Sequence, residues 1–219
     1  MPIPAPNLYP DFNIIRMSHV CLNVKDLRAS RRFYADTLGL QISDETRTHI
    51  YLRAMEERGH HCLILKKSDA PGTVETIAFK TFDEEDLIRA ETYFKAKGRP
   101  TEWVERPFQG KTLLTSDNIG MPLEFYHKMK RLPSIHQKYL LYKGVKPLRI
   151  DHLNCFSSDV DASVDRVFNP FVELSGDPEP HPSEGLESHY LEVAVAGRSQ
   201  CAIWSAVGGR QDQPSGACL

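Results

Sequence analysis

The sequence RMSHVCLNVKDLRAS occupies residues 16–30 and decides the fold. Arg16–Val24 alternates apolar and other residues as a half-buried strand does, and Asp26 stands where the cap of a following helix belongs. Apolar residues continue the helical pattern until Gly39 ends it. Three short strand candidates follow, at residues 40–43, 49–53 and 61–66. One strand, one helix and three strands make a βαβββ unit.

The same order then starts again. The sequence predicts a strand, a helix stopped by Gly98 and three more strands, at residues 73–80, 83–97, 102–106, 111–116 and 123–127. Each unit alone buries one face of a small sheet, so we expect the two to pack together as one domain. The predicted fold class is α+β, with two tandem βαβββ modules, the start of a second such domain and an irregular C-terminal tail.

A third copy of the strand-to-helix pattern begins near residue 148. Asp151-His152-Leu153-Asn154 precedes another Asp-containing helix start, as Ser18-His19-Val20-Cys21 does in the first module. The chain therefore opens a second copy of its own domain. Beyond it, three prolines at positions 178, 180 and 182 exclude a paired strand. Only residues 190–195 and 201–207 keep strand-like composition, so we expect most of the tail to be poorly ordered.

These patterns divide the chain into five parts. They are an extended N-terminal segment (1–13), a paired βαβββ domain (14–127), a basic, Tyr-rich connector (128–147), the start of a truncated second domain (148–168) and an irregular tail (169–219).

Composition narrows the class of partner. The chain has 219 residues, 41% of them hydrophobic, and 27 basic and 29 acidic residues that are interspersed along it. With a formal charge of −2, the sequence does not predict a basic surface that would bind nucleic acid or an anionic membrane. The five cysteines include no CxxC pair, and no apolar run approaches the roughly 18 residues that span a bilayer. We expect a cytoplasmic protein whose partner is a small molecule or another subunit.

Several residues could carry chemistry. His152 on a strand, with Asn154 two positions on and pointing the same way, suits a metal ligand beside a substrate-orienting amide, although a packed or surface histidine has the same pattern. The internal repeat places His19 where the later copy has His152. His60 and His61 are predicted to point to opposite sheet faces. Glu56-Glu57-Arg58 is predicted to be a solvated turn.

Segments along the chain share one resemblance. They are Arg149-Ile150-Asp151-His152-Leu153-Asn154, Asp36-Thr37-Leu38-Gly39-Leu40, Ile50-Tyr51-Leu52-Arg53, His60-His61-Cys62-Leu63 and Pro122-Leu123-Glu124-Phe125. In this order and spacing they resemble the extradiol ring-cleaving dioxygenases of the vicinal oxygen chelate superfamily, especially the homoprotocatechuate and catechol 2,3-dioxygenases. The similarity runs from about residue 14 to about residue 164 and implies paired βαβββ modules.

The resemblance also implies a chemistry. Such enzymes hold Fe(II), with Mn(II) possible, by two histidines and one glutamate in the second domain, where catechol and dioxygen bind. His152 matches the first ligand and Asn154 matches a pocket residue, so the site is partial, with one ligand of three. By the internal repeat, the first-domain equivalents of the three ligands are His19, a position near Thr76, and Glu124, and we expect a vestigial site in which His19 and Glu124 are structural. His181 and His189 flank a Pro-rich stretch with no strand to fix them, so we do not expect them to replace the others. The family commonly forms homo-oligomers.

Three functional hypotheses follow. The first is an extradiol dioxygenase polypeptide that is truncated or frame-shifted and inactive as this chain. The second is a non-catalytic binding or assembly module of the same fold. The third is a glyoxalase-type metalloenzyme that uses His19 and Glu124.

Overall fold

The computed structural model describes residues 9–117 and 120–150, together with the strands 152–157 and 189–194, in which Leu153 is the one residue whose side chain is described. The first module contains β1 (Ile14–Val24), α1 (Leu27–Arg31), a π-helical segment (Arg32–Thr37), β2 (Gln41–Glu45), β3 (His49–Arg53) and β4 (Leu63–Lys67). The second contains β5 (Thr73–Thr81), α2 (Glu85–Ala96), β6 (Glu102–Arg106), β7 (Gly110–Ser116) and β8 (Pro122–Tyr126). A 3-10 turn (Tyr139–Leu141), β9 (His152–Ser157) and β10 (His189–Ala194) follow. The predicted tandem βαβββ order is confirmed.

The first helix differs from its prediction. The Asp26 carboxylate caps it by accepting hydrogen bonds from the backbone N–H groups of Arg28 and Ala29. After Arg31 the hydrogen bonds widen to five residues, as in Leu38 N–H to the Phe33 carbonyl at 2.9 Å. One predicted helix is therefore a short α-helix continued by a π-helical segment.

All eight strands of the two modules lie in one sheet, in the order β2-β3-β4-β1-β5-β8-β7-β6. Strand β1 pairs parallel with β4 of its own module and antiparallel with β5 of the next. Strand β5 pairs parallel with β8. The β1–β5 ladder is the seam that joins the modules, which makes them one structural unit.

Alternation along these strands separates two faces. Val20, Leu22, Phe79 and Phe125 lie on one face and pack with α2 residues such as Phe94 in the main apolar core. Burial of each such side chain contributes about 1.5–3 kcal/mol. The other face, which we call the polar face, carries His19, Tyr51, Thr76, Ala78 and Glu124. It is the face on which candidate chemistry lies.

The connector is tied to the first module by its backbone. The N–H groups of Val145 and Lys146 donate to the carbonyls of Thr37 and Leu38 at 3.2 and 2.9 Å. A Cβ on Gly144 would lie 1.8 Å from the Thr37 carbonyl oxygen, and one on Gly39 would lie 1.9 Å from that of Lys143. These glycines permit a backbone-to-backbone contact that no larger residue allows.

The next strand begins later than predicted. It begins at His152 rather than at residue 148, and the carbonyls of Pro147 and Leu148 accept hydrogen bonds from the N–H groups of Met55 and Glu56. Strand β9 pairs antiparallel with β10, with His189 opposite Ser157. The expectation that no strand fixes His189 is therefore wrong. His181, and the order predicted for most of the tail, lie outside the described residues. No helix in the described part of the chain is long and apolar enough to cross a membrane.

Candidate functional site

Three neighbouring strands place His19, Ala78 and Glu124 in one row on the polar face. His19 on β1 pairs with Ala78 on β5, and Ala78 pairs with Glu124 on β8. Thr76 itself pairs with Cys21, so the central place in the row, which was predicted near Thr76, belongs to Ala78. Of the three positions, the middle one has no side chain that could bind a ligand.

Glu124 is held by several groups at once. Its Oε1 lies 3.4 Å from His19 Nε2 and accepts a hydrogen bond from Gln109 Nε2, while Oε2 lies 3.3 Å from Arg106 Nε. Burial opposes ionisation of this carboxyl, but His19, Arg106 and Gln109 outweigh it and lower the pKa of Glu124. The carboxylate is a charged, buried group whose two oxygens are both engaged.

His61 reaches the same cluster from the segment before β4. Its ring centroid lies 4.5 Å from that of His19, edge to face. Burial, then the neighbouring imidazoles of His19 and His60, lowers the pKa of His61 well below its ordinary value, so His61 is neutral near pH 7.

The predicted orientation of the adjacent histidines is wrong. The Nδ1 atoms of His60 and His61 lie 3.2 Å apart, so the rings do not point to opposite faces. Strict alternation needs an extended strand, and β4 begins only at Leu63. The prediction for residues 56–58 also fails in part, because the Glu57 carboxylate is buried and lies 2.6 Å from Arg16.

The turn between β6 and β7 covers this cluster. Phe108 stacks on His60 with 3.6 Å between ring centroids and also contacts Tyr51. Its φ is +70°, in the left-handed region that non-glycine residues rarely adopt. Gln109 follows and inserts its amide between Thr112 and Glu124. The turn thus links the second module to the first across the polar face.

A second polar pair borders the cluster. The hydroxyls of Ser18 and Tyr126 hydrogen-bond to each other, and Ser18 Oγ lies 3.3 Å from His19 Nδ1. Burial raises the pKa of Tyr126 to about 12. Cys21 and Cys62 are free and buried, and burial raises the pKa of each thiol to about 12. Neither the phenol nor the thiols are activated for nucleophilic or acid–base work near neutral pH.

Sequence reasoning identified His19 and Glu124 but missed Arg106, Phe108 and Gln109. The only local signal was the gap between the predicted strands at 106 and 111, which indicates a turn. Nothing in that gap shows that the turn folds back onto His60, because the two segments are far apart in the sequence. Such a contact is set by the curl of the whole sheet.

These residues do not fit a metal ion. Alanine occupies the central position, and Arg106 and Gln109 take the carboxylate oxygens that a cation would need. In residues 9–117 and 120–150, no group of three or more His, Cys, Asp and Glu side chains is arranged to hold one. The structural role predicted for His19 and Glu124 remains a prediction that this geometry supports. The side chains of His152 and Asn154 lie outside the described residues.

The fold and motifs have recognisable relatives. Residues 16–127 match the family model described as the Glyoxalase/Bleomycin resistance protein/Dioxygenase superfamily. A manganese-dependent 2,3-dihydroxybiphenyl 1,2-dioxygenase from Geobacillus genomosp. 3 is 29% identical over 157 residues, which are 67% of this chain and 50% of that protein. A metapyrocatechase from Geobacillus stearothermophilus is 24% identical over 160 residues, which are 68% of this chain and 49% of that protein.

Solved structures agree. Homoprotocatechuate 2,3-dioxygenase from Brevibacterium fuscum, in complex with 3,4-dihydroxyphenylacetate, has a TM-score of 0.69 and 32% identity and covers 77% of this chain and 53% of its own. The enzyme of the same name from Arthrobacter globiformis has a TM-score of 0.69 and 28% identity. The match covers 77% of this chain and 52% of the Arthrobacter chain. The resemblance inferred from the motifs is confirmed, and this chain spans about half the length of the curated relatives it matches.

Proposed function

Since the chain belongs to the Glyoxalase/Bleomycin resistance protein/Dioxygenase superfamily, we propose that it is part of an extradiol ring-cleaving dioxygenase, located in the cytoplasm. In this proposal, residues 14–127 form the scaffold domain, and the strand that begins at His152 opens the catalytic one. The substrate class is a catechol, which the enzyme cleaves with dioxygen.

One observation carries the proposal. The superfamily match ends at residue 127 and so includes about half of the chain, whereas the likeness to homoprotocatechuate 2,3-dioxygenase covers 77% of it. The additional residues cannot all come from the first domain. They extend the similarity into the connector and beyond, and three of these longer relatives are named as dioxygenases.

In this proposal His152 supplies the first iron ligand and Asn154 lines the substrate pocket. Fe(II), or Mn(II), would supply adjacent open positions for catechol and dioxygen. The second histidine and the glutamate of the expected set have no match in this sequence. A single imidazole does not retain iron, because affinity depends on the full ligand set and its supporting hydrogen bonds. Residues 1–219 alone should therefore show no ring cleavage.

A shifted reading frame would account for the composition of the tail. In this hypothesis, an alternative frame after about residue 168 encodes the missing ligands. Sequencing the downstream DNA tests it directly. A Leu-His-His segment and a later ligand glutamate in one of the other frames are expected, and their absence from both would reject the hypothesis.

The binding or assembly module is the second candidate. The observation that favours it is the self-contained first domain, in which Glu124 is satisfied by His19, Arg106 and Gln109. The glyoxalase-type hypothesis is less well supported, because the same contacts leave no place for a cation.

Metal analysis combined with a cleavage assay separates these hypotheses. The purified chain is loaded anaerobically with Fe(II), its bound iron is measured, and 3,4-dihydroxyphenylacetate is added with dioxygen. We expect no stoichiometric iron and no yellow product, and any residual iron should be lost in His152→Ala but not in His19→Ala. Stoichiometric metal that is lost in His19→Ala would favour the glyoxalase type. A chain extended in the restored frame should bind iron and form the yellow product. If the protein is a binding module, the extended chain should do neither.

A further inference from the structure

A short part of the connector ties the two modules together through its backbone. Residues 130–133, which we call the strap, lie shortly after the end of β8. The N–H of Lys130 donates to the carbonyl of Phe108 in the second module at 2.6 Å. The N–H of Leu132 donates to the carbonyl of Arg58 in the first module at 2.9 Å. The strap therefore bridges the β6–β7 turn and the segment before β4.

The turn that receives the strap is held by a stack of side chains. The Phe108 ring lies on His60, with 3.6 Å between ring centroids and 9° between the ring planes. The Lys130 ammonium lies 5.6 Å from the centroid of the same phenyl ring. Since Phe108 has a φ of +70°, its own backbone preference does not favour this turn. The surrounding contacts, and the His60 stack among them, keep the turn in place.

His60 is neutral in this arrangement. The side chain is buried, and its Nδ1 lies 3.2 Å from that of His61, so one of the two nitrogens donates and the other accepts. Burial, and then the Lys130 ammonium, lowers the pKa of His60. Arg53 acts in the same direction, and Asp44 on β2 acts against it. The balance favours the uncharged ring.

The other groups against the ring leave His60 as the first to take up a proton. The pKa of His61 is lowered further, by burial and then by the imidazoles of His19 and His60. Tyr51 contacts His60 edge to face at 5.7 Å, and burial raises the pKa of its phenol, so it stays neutral where histidines titrate. Arg53 remains charged and donates from Nη1 to the Pro133 carbonyl of the strap at 2.9 Å.

We propose that His60 is a proton switch that releases the strap when the pH falls. A proton on the ring adds a buried positive charge beside Lys130 and Arg53. The charged ring gains contact with water when Phe108 and the strap move away from it, so protonation favours the open arrangement. Because the strap leads from β8 towards β9, its release loosens the attachment of the following residues to the sheet.

The direction of the pH dependence follows from the two protonation states. The ring has an ordinary pKa near 6.5 when the strap is open and a lower pKa when it is closed. The closed strap is therefore fully favoured above pH 6.5. Below that value, the equilibrium for closing falls by at most about tenfold per pH unit until the pKa of the closed state is reached.

Amide hydrogen exchange of the full chain, resolved by NMR between pH 7.5 and 5.5, tests the proposal. Each rate is divided by the intrinsic rate at that pH. Protection of the Lys130 and Leu132 amides should fall below pH 6.5 in the wild type. His60→Phe keeps an aromatic ring against Phe108 but does not titrate, so its protection should not change with pH. His136→Phe, at an exposed histidine of the connector, should behave like the wild type.

A second variant leaves the stacked rings intact. Lys130→Gln removes the ammonium but keeps the backbone bond from residue 130 to Phe108. It should raise the pKa of His60 and make the total loss of protection smaller. An NMR titration of the His60 ring gives this pKa directly, and in the wild type it should lie below 6.5.

Three results would overturn the proposal. One is protection of Lys130 and Leu132 that does not change with pH in the wild type. Another is an equal fall at Val145 and Lys146, which are bonded to the first module elsewhere in the connector, because the opening would then not be local to the strap. The third is a folded His60→Phe variant that loses protection as the wild type does, which would assign the effect to another group.

Discussion

At the scale of single residues, Glu124 is the buried charge with the most partners described on the polar face. Glu124→Gln removes the buried charge that compensates Arg106, so we expect a loss of roughly 3 kcal/mol in the free energy of unfolding at pH 7. The folded-state pKa of Glu124 is lowered, so its stabilisation is complete above the ordinary value of 4.5 and is lost as the pH falls through the folded value. Urea titrations should show that the difference in the free energy of unfolding between variant and wild type is smaller at pH 3.5 than at pH 7. The exposed-site control Glu102→Gln should change little at either pH.

His61 predicts a second pH effect at a higher pH. Its folded-state pKa lies below the ordinary 6.5, so the unfolded chain takes up the proton first. Stability associated with neutral His61 is complete above pH 6.5 and decreases as the pH falls below it, by at most about 1.4 kcal/mol per pH unit. His61→Gln should therefore flatten the dependence of the unfolding free energy between pH 7.5 and 5.5. The exposed-histidine variant His136→Gln should keep the wild-type slope, and equal slopes in all three proteins would contradict the assignment.

At the scale of elements, the contact between the connector and the first helix depends on two glycines. Gly144→Ala places a Cβ 1.8 Å from the Thr37 carbonyl oxygen, so the backbones must separate. Gly72 also has a positive φ but has nothing within 4 Å, so Gly72→Ala should cost only about 1 kcal/mol. We expect Gly144→Ala to reduce the free energy of unfolding clearly more than Gly72→Ala does. Hydrogen exchange at the amides of Val145 and Lys146 should also become faster. Equal costs and unchanged exchange would show that the contact is not tight.

The strands were predictable because each signal is local. Alternation in β1, the cap at Asp26 and the turn glycines give the tandem order, with every strand end of the two modules within two residues of its predicted position. Predictions failed where a distant segment decides the outcome. His60 turns with His61 because Phe108 stacks on it, and Glu57 is buried because Arg16 reaches it. The Ala78 row needed the actual register of β1 and β5, which sequence periodicity does not supply.

At the scale of the whole molecule, the β1–β5 ladder joins modules that are separate in the sequence. The polar face is then assembled from both: His19 and His61 come from the first module, and Gln109 and Glu124 from the second. The sequence predicted His19 and Glu124 because the internal repeat places them at the positions of ligands that the family resemblance implies. The sequence could not predict that Gln109 and Arg106 bind the Glu124 carboxylate, because those contacts depend on how the whole sheet curls. The same curl determines that this face is filled by the protein's own side chains.

A continuous sheet also predicts that both modules unfold together. Trp103 lies on β6 at one edge, whereas Leu52 is fully buried on β3 near the other. The chain has two tryptophans, so a Trp204→Phe background leaves Trp103 as the only tryptophan reporting on the second module. In that background, Leu52→Ala should reduce the free energy of unfolding by about 2–5 kcal/mol. The unfolding midpoints measured by Trp103 fluorescence and by far-UV circular dichroism should shift by the same amount. The reason is that loss of the β1–β5 ladder exposes both halves of the core. If the fluorescence midpoint stayed in place while the dichroism midpoint moved, the modules would be independent, and the seam would not unite them.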